Sequence, residues 1–236
     1  THLRAWFLEL GKTRNPGGIH CSYRVTKTFL RWWESEYEPR DWKNPILKVR
    51  APKLPKLPVT TVPLDDVRAL LAACPRRQVT GDRNRAIILA LLDTGCRAGE
   101  FLALNIGDVT MSTGAVLVRK GKGNKARVVF LGAKARKAII TYLRHRPDAK
   151  PKDPLWLGEN GRRLSYRGLD SALRRCAQRA NISEPALHSF RRTFATLSHD
   201  NGADIIDLQR LMGHADLSIL RRYLGESEAE LRATHE

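Results

Sequence analysis

A short segment of the chain has the residue types of a phosphate-binding site at the junction of two helices. In TGCRAGE (94–100), Gly95 can end one helix in the left-handed conformation, so that Arg97 opens the next helix and Glu100 follows one turn later. A guanidinium offers a phosphate two parallel donors, which lysine cannot imitate. The alternative is an ordinary Arg97–Glu100 pair on a helix surface. Under either interpretation, a structural role is favoured for Glu100 over a catalytic one.

A second segment, LHSFRR (187–192), also has the residues to bind a phosphate. It opens a helical pattern in which the three-residue spacing places His188 and Arg191 on one face, so both could reach the same phosphate. A solvated histidine and a solvated arginine pair are the alternative. Metal binding is less attractive, because no His, Asp or Glu stands three or four residues after His188 and the HExxH spacing is absent.

The segment LMGHADLSILRRY (211–223) contains a possible nucleophile. Gly213 breaks a helix, His214 lies in the turn, and Asp216 can cap a short helix that carries Tyr223. A tyrosine near the end of an amphipathic helix can equally belong to a core or a surface. The residue types therefore leave the role of Tyr223 open when they are considered alone.

The remaining patterns predict the elements that position these segments. Two β-branched stretches, 115–119 and 127–131, flank a basic turn and predict a β-hairpin whose tip carries Lys120, Lys122 and Lys125. A helix start at Asp65 and an apolar stripe over 87–92 precede the hairpin. Further helical patterns follow it, at about 133–145, 168–180, 187–200, 204–212 and 216–224. The larger part of the chain is therefore mainly helical with a small antiparallel sheet.

Six prolines between positions 37 and 63 indicate a linker, because proline fixes φ and lacks an amide donor. This places a domain boundary near residue 58. The smaller, basic part before the boundary is expected to contain two or three helices. The four cysteines are scattered without CxxC spacing, which indicates reduced and mostly buried thiols.

The charge of the chain indicates a polyanionic partner. Its 42 Lys and Arg outnumber 24 Asp and Glu, which gives a formal net charge of +18. Nucleic acid is favoured over an anionic membrane surface or a ribosomal environment. No run of about 18 apolar residues and no secretion signal is present, so the expected location is the cytoplasm, with no membrane partner.

The order of these motifs closely resembles the tyrosine recombinase family, and in particular its Xer and phage integrase branch. The matching stretches are TGCRAGE, GKGNK, HSFRRTFAT and LMGHADLSILRRY, within residues 60–224. The resemblance implies an α+β, mainly α fold. Residues 59–236 would form the helical catalytic domain, with its small antiparallel sheet and a C-terminal tail. Residues 1–58 would form a partial, truncated core-binding helical domain and the proline-rich linker.

The resemblance also implies a site-specific DNA recombinase, or integrase, that cleaves and rejoins double-stranded DNA through a 3′-phosphotyrosine. The family's catalytic positions fall on Arg97, Lys122, His188, Arg191, His214 and Tyr223, with Glu100 in a supporting position. Lys122 would be the general acid, although Lys120 and Lys125 are near neighbours. No cofactor and no metal are expected, and four copies would assemble on paired DNA sites.

The alternatives are a type IB topoisomerase and a catalytically idle DNA-binding regulator of the same fold. GHADLSILRRY fits the recombinase better than the topoisomerase. A complete set of chemical positions argues against the idle regulator. A bacterial or phage origin is expected for the recombinase.

Overall fold

A computed structural model describes residues 2–38, 40–54, 60–119 and 126–213 of the chain. The chain divides into two compact units, Thr1–Pro58 and Val59–Glu236. Among the described residues, no helix combines the length and the apolar character needed to cross a membrane.

Over its described residues, the smaller unit has two α-helices, within the two or three that the sequence predicts: α1 (His2–Thr13) and α2 (Pro16–Tyr37), followed by a 3-10 turn at Pro45–Lys48. The start of α2 follows from its first residues. The Asn15 side chain accepts a hydrogen bond from the Gly18 amide at 2.8 Å, and a proline occupies the first helical position, where no amide donor is needed. The small apolar core of this unit consists of Phe7, Tyr23, Ile46 and Val49.

The larger unit is mainly helical, which confirms the predicted fold class. Its α-helices are α3 (Leu64–Ala72), α4 (Val79–Thr94), α5 (Ala98–Ala103), α6 (Ala133–Leu143), α7 (Tyr166–Ala180), α8 (Leu187–Asp200) and α9 (Ile205–Met212). The predicted hairpin is present as two antiparallel strands, β1 (Ala115–Val118) and β2 (Arg127–Phe130). The helix expected over 216–224 lies outside the described residues.

Helix α4 is the centre of the larger unit, and α6 and α8 pack against it. It is buried over most of its length, and Ile87, Ile88 and Leu91 are almost completely inaccessible to solvent. The core of the larger unit also contains the indole of Trp156, which stacks on Phe101 with ring centroids 5.0 Å apart. Three of the four cysteines are buried in this core as free thiols, which confirms their prediction.

Candidate active site

The end of α4 and the start of α5 place Arg97. Gly95 ends α4 with a left-handed φ of 55°, and Arg97 is the N-cap of α5, as the sequence predicts. A Cβ on Gly95 would lie only 2.3 Å from the ring of Phe194, so both the backbone angle and the space require glycine here. The tight turn therefore keeps the Arg97 side chain next to the end of α4.

Glu100 is the buried anion of the site. Its side chain is only 6% exposed, and its carboxylate accepts hydrogen bonds from the Arg97 amide at 3.0 Å and from Arg97 Nη1 at 2.9 Å. The alternative of an ordinary surface pair is therefore wrong. Glu100 is buried because a second arginine, from the hairpin, covers its other side.

That second arginine is Arg127, which sequence reasoning did not single out. Its Nη1 and Nη2 donate to the two carboxylate oxygens of Glu100 at 3.1 and 2.6 Å, and its Nε donates to the Leu211 carbonyl at 2.8 Å. A signal was present in the strand alternation, because Arg127 is in phase with the buried Val129 and Leu131. An arginine at a core-facing strand position needs a buried acceptor.

The two arginines determine the charge state of Glu100. Burial alone would raise the pKa of this carboxyl group. The hydrogen bonds from Arg127 and from the Arg97 amide, together with the positive charge of Arg127, outweigh burial and lower the pKa below its ordinary value. Glu100 is therefore a carboxylate at neutral pH.

Arg191 enters the site from the first turns of α8, which begins at Leu187 as predicted. The residue is 2% exposed, so the alternative of a solvated arginine is wrong for it. Its Nη1 donates to the Gly95 carbonyl at 2.5 Å and its Nη2 to the Met212 carbonyl at 2.6 Å. Arg191 thus connects the C-terminal end of α4 with that of α9.

The C-terminal end of α9 brings the three arginines together. Gly213 ends this helix with a left-handed φ of 63°, which confirms the predicted helix break. The last carbonyls of a helix have no partner within it, and the dipole makes this end partly negative. Three consecutive carbonyls each accept from a different arginine: Leu211 from Arg127, Met212 from Arg191, and Gly213 from Arg97 at 3.1 Å.

His188 lies at the start of α8, close enough to these cations for them to affect its titration. Although the residue as a whole is exposed to solvent, partial burial lowers its pKa from the ordinary histidine value, and the charges of Arg192, Arg191 and Arg97 lower it further. The lowered pKa therefore favours the neutral imidazole at neutral pH. In this state it can accept a proton.

The structure thus brings together Arg97, Glu100, His188 and Arg191 of the residues expected from the sequence. Lys122, His214 and Tyr223 lie outside the described residues. Within the described ranges, no group of three or more His, Cys, Asp or Glu side chains is arranged to hold a metal ion. The arrangement itself is a cluster of fixed guanidinium groups beside a neutral imidazole, which suits the binding of a phosphate ester and proton transfer next to it.

Comparisons with known proteins identify the family of the chain. Residues 61–230 match the Phage integrase family. The chain is 33% identical to tyrosine recombinase XerC 2 of Ralstonia nicotianae, over its whole length and 69% of that protein. It is 32% identical to tyrosine recombinase XerD of Halalkalibacterium halodurans, over 80% of the chain, but spans only 64% of that relative's length.

Among solved structures, the XerH site-specific recombinase in a post-cleavage complex with palindromic difH substrate aligns with a TM-score of 0.78. The alignment covers 99% of this chain and 70% of that one, at 20% identity. At that identity the similarity establishes the fold.

Proposed function

This chain belongs to the phage integrase family, and on that premise we propose that it is a site-specific tyrosine recombinase that breaks and rejoins DNA strands. The chain covers about two thirds of the XerC 2 and XerD relatives, which are tyrosine recombinases by name. The assignment therefore rests on the site that the chain itself carries.

The observation that carries the proposal is the convergence of Arg97 and Arg191 at the end of α9, beside a neutral His188. A phosphodiester undergoing in-line attack needs fixed cations at its non-bridging oxygens, and cations that are already positioned need no reorganisation during the reaction. The side chain of Arg97 is 32% exposed, so part of this side chain is accessible to a ligand. Arg97 and Arg191 are the proposed phosphate-binding pair.

The proposed nucleophile is Tyr223. Its phenolic oxygen would attack the phosphorus and form a 3′-phosphotyrosine, while the bond from phosphorus to the 5′ oxygen breaks. A tyrosine has a pKa near 10 and must lose its proton to attack efficiently. His188 can accept this proton, or it can orient the tyrosine for the attack. The energy of the phosphodiester is kept in the covalent link. Religation therefore needs no ATP.

Two further groups complete the proposed reaction. His214 would donate a hydrogen bond to the phosphate, and Lys122 would supply the proton that the departing 5′ oxygen takes up. Lys120 and Lys125 are the alternatives for this acid. The resulting 5′-hydroxyl of one duplex can then attack the phosphotyrosine of another, which exchanges strands.

The substrate proposed is double-stranded DNA, in keeping with the net charge of +18. The described surface also has a basic cleft of about 450 Å³ at the start of α7. Four arginines and one glutamate line it together with smaller residues: Arg83, Arg163, Arg167, Arg175 and Glu159. Exchange between two duplexes requires a cut in each of four strands, so four copies of the chain are proposed to assemble on paired sites.

A nicked duplex of a candidate attachment site tests the proposal. Cleavage close to a nick releases a short fragment that carries the free 5′-hydroxyl. Because this fragment diffuses away, religation fails, and the covalent product accumulates and can be detected by denaturing electrophoresis. We expect an adduct with the unmutated chain and with Tyr166→Phe, which removes the hydroxyl of an exposed tyrosine. We expect none with Tyr223→Phe.

Three outcomes would contradict the proposal. An adduct that persists in Tyr223→Phe would remove this tyrosine as the nucleophile. Binding without an adduct in the unmutated chain would favour a DNA-binding regulator. Relaxation of supercoiled DNA without exchange between two duplexes would favour a type IB topoisomerase.

A further inference from the structure

Arg127 differs from the other two arginines at the end of α9 because its guanidinium binds both carboxylate oxygens of Glu100. A guanidinium has five N–H donors in a fixed plane. In Arg127, Nη1, Nη2 and Nε each have a protein acceptor, and the side chain is only 10% exposed. Turning Arg127 towards a phosphate would therefore break its two hydrogen bonds to the buried Glu100 carboxylate.

The acceptors of Arg127 belong to two parts of the site that are distant in sequence. Glu100 also binds the amide and the guanidinium of Arg97, whereas Leu211 belongs to the last turn of α9. The contact with this helix end is close, because a Cβ on Gly213 would lie 3.2 to 3.3 Å from three atoms of the Arg127 side chain. The planar side chain thus lies between Glu100 and the residues that precede His214 in the chain.

We propose that Arg127 is a positioning residue for strand cleavage. Through Glu100 it fixes the direction of the Arg97 guanidinium, and through Leu211 it fixes the end of α9 relative to that guanidinium. It does not touch the DNA phosphate. This inference rests on the proposed recombinase function, since it concerns the geometry of that same site.

The test compares binding with cleavage in Arg127→Met, which keeps much of the apolar stem but removes the planar donor. The measurements are the single-turnover rate of adduct formation at saturating protein and the dissociation constant for the same nicked duplex at several salt concentrations. A small misplacement of a reacting group can cost about 100-fold in rate. We expect a loss of about that size, with affinity and its salt dependence close to those of the unmutated chain.

Arg119→Met is the matched control. Arg119 directly follows β1 of the same hairpin and also pairs with a buried carboxylate, that of Asp108, but its own side chain is 65% exposed. We expect its cleavage rate to stay close to that of the unmutated chain. Arg127→Lys should recover only a small part of the lost rate, because an ammonium group lacks the planar geometry that holds two carboxylate oxygens and a carbonyl together.

A double variant separates positioning from stability. Arg127→Met leaves Glu100 buried with only Arg97 as its partner, so some loss of stability is expected. Adding Glu100→Gln removes this buried charge, which has lost one of its two arginines, and should recover part of that stability, measured by thermal unfolding. If Arg127 positions the site, cleavage stays low in the double variant even as its stability recovers.

Three results would overturn the inference while leaving the proposed function intact. Cleavage by Arg127→Met within a few-fold of the unmutated rate would show that no positioning is needed. Recovery of cleavage together with stability in the double variant would reduce Arg127 to a structural role. A weaker affinity with a shallower salt dependence would place Arg127 on a phosphate. Absence of an adduct with the unmutated chain would remove both proposals.

Discussion

Replacing Glu100 with glutamine should destabilise the larger unit far more than the loss of one charge usually does. The carboxylate accepts four hydrogen bonds, two from Arg97 and two from Arg127. Glutamine keeps one carbonyl oxygen, but its amide group would face guanidinium donors. Breaking a buried ion pair by removing one partner costs about 3–5 kcal/mol, and we expect a value in this range. For a unit of this size, such a loss of stability lowers Tm by roughly 10 °C.

Asp108→Asn provides the control. Asp108 is another buried carboxylate, with a side chain only 3% exposed, and it accepts one hydrogen bond from Arg119 and one from the Asn105 amide. Because Arg119 remains largely hydrated, we expect a cost of about 1 kcal/mol. Urea unfolding followed by far-ultraviolet circular dichroism, fitted with one transition for each unit, measures both variants.

The pH dependence gives the same reasoning a second test. Burial raises the pKa of Glu100, but the hydrogen bonds from Arg127 and Arg97 prevail and lower it. Its contribution to stability is therefore fully present above the ordinary glutamate pKa of about 4.3, and is lost as the pH falls through the lowered value. The stability difference between the unmutated chain and Glu100→Gln should narrow only in this acidic range. A cost no larger than that of Asp108→Asn at neutral pH would refute the reasoning.

Three other predictions concern backbone geometry, titration and DNA binding. Gly95→Ala should cost about 1–3 kcal/mol in thermal unfolding, because of its left-handed φ and the contact with Phe194, whereas Gly99→Ala, with open space around it, should be neutral or slightly stabilising. In an NMR titration, the pKa of His188 should lie below 6.5, and Arg97→Gln should raise it by removing a positive charge. DNA affinity should fall steeply with salt, and a flat dependence would contradict binding to the phosphate backbone.

The local elements of the site could be predicted from the sequence because short-range physics determines them. Gly95 and Gly213 end helices where the left-handed backbone conformation is needed, and the three-residue spacing of His188 and Arg191 fits one helix face. The strands of the hairpin followed from the β-branched stretches on either side of its turn. Each of these signals lies within a few residues of the feature that it predicts.

The contacts between these elements could not be predicted in the same way. Arg127 is 27 residues from Glu100 and 84 residues from Leu211, so no local pattern specifies these partners. The strand alternation indicates that Arg127 faces the core but does not identify its acceptor. The burial of Arg191 likewise depends on the ends of α4 and α9, which are brought together only by tertiary packing.

The charges at this site balance in a way that suits a single phosphodiester. Among the described residues, Arg97, Arg127 and Arg191 contribute three positive charges, and Glu100 contributes one negative charge. The C-terminal ends of α4 and α9, whose carbonyls accept from these arginines, each act as about half a negative charge. About one positive charge then remains from these groups, while burial and the charges of Arg192, Arg191 and Arg97 lower the pKa of His188. A phosphodiester carries one negative charge, so its binding would neutralise the cluster. A larger net positive charge would make the arginines repel one another when no DNA is bound. A smaller net positive charge would stabilise the phosphate less in the transition state.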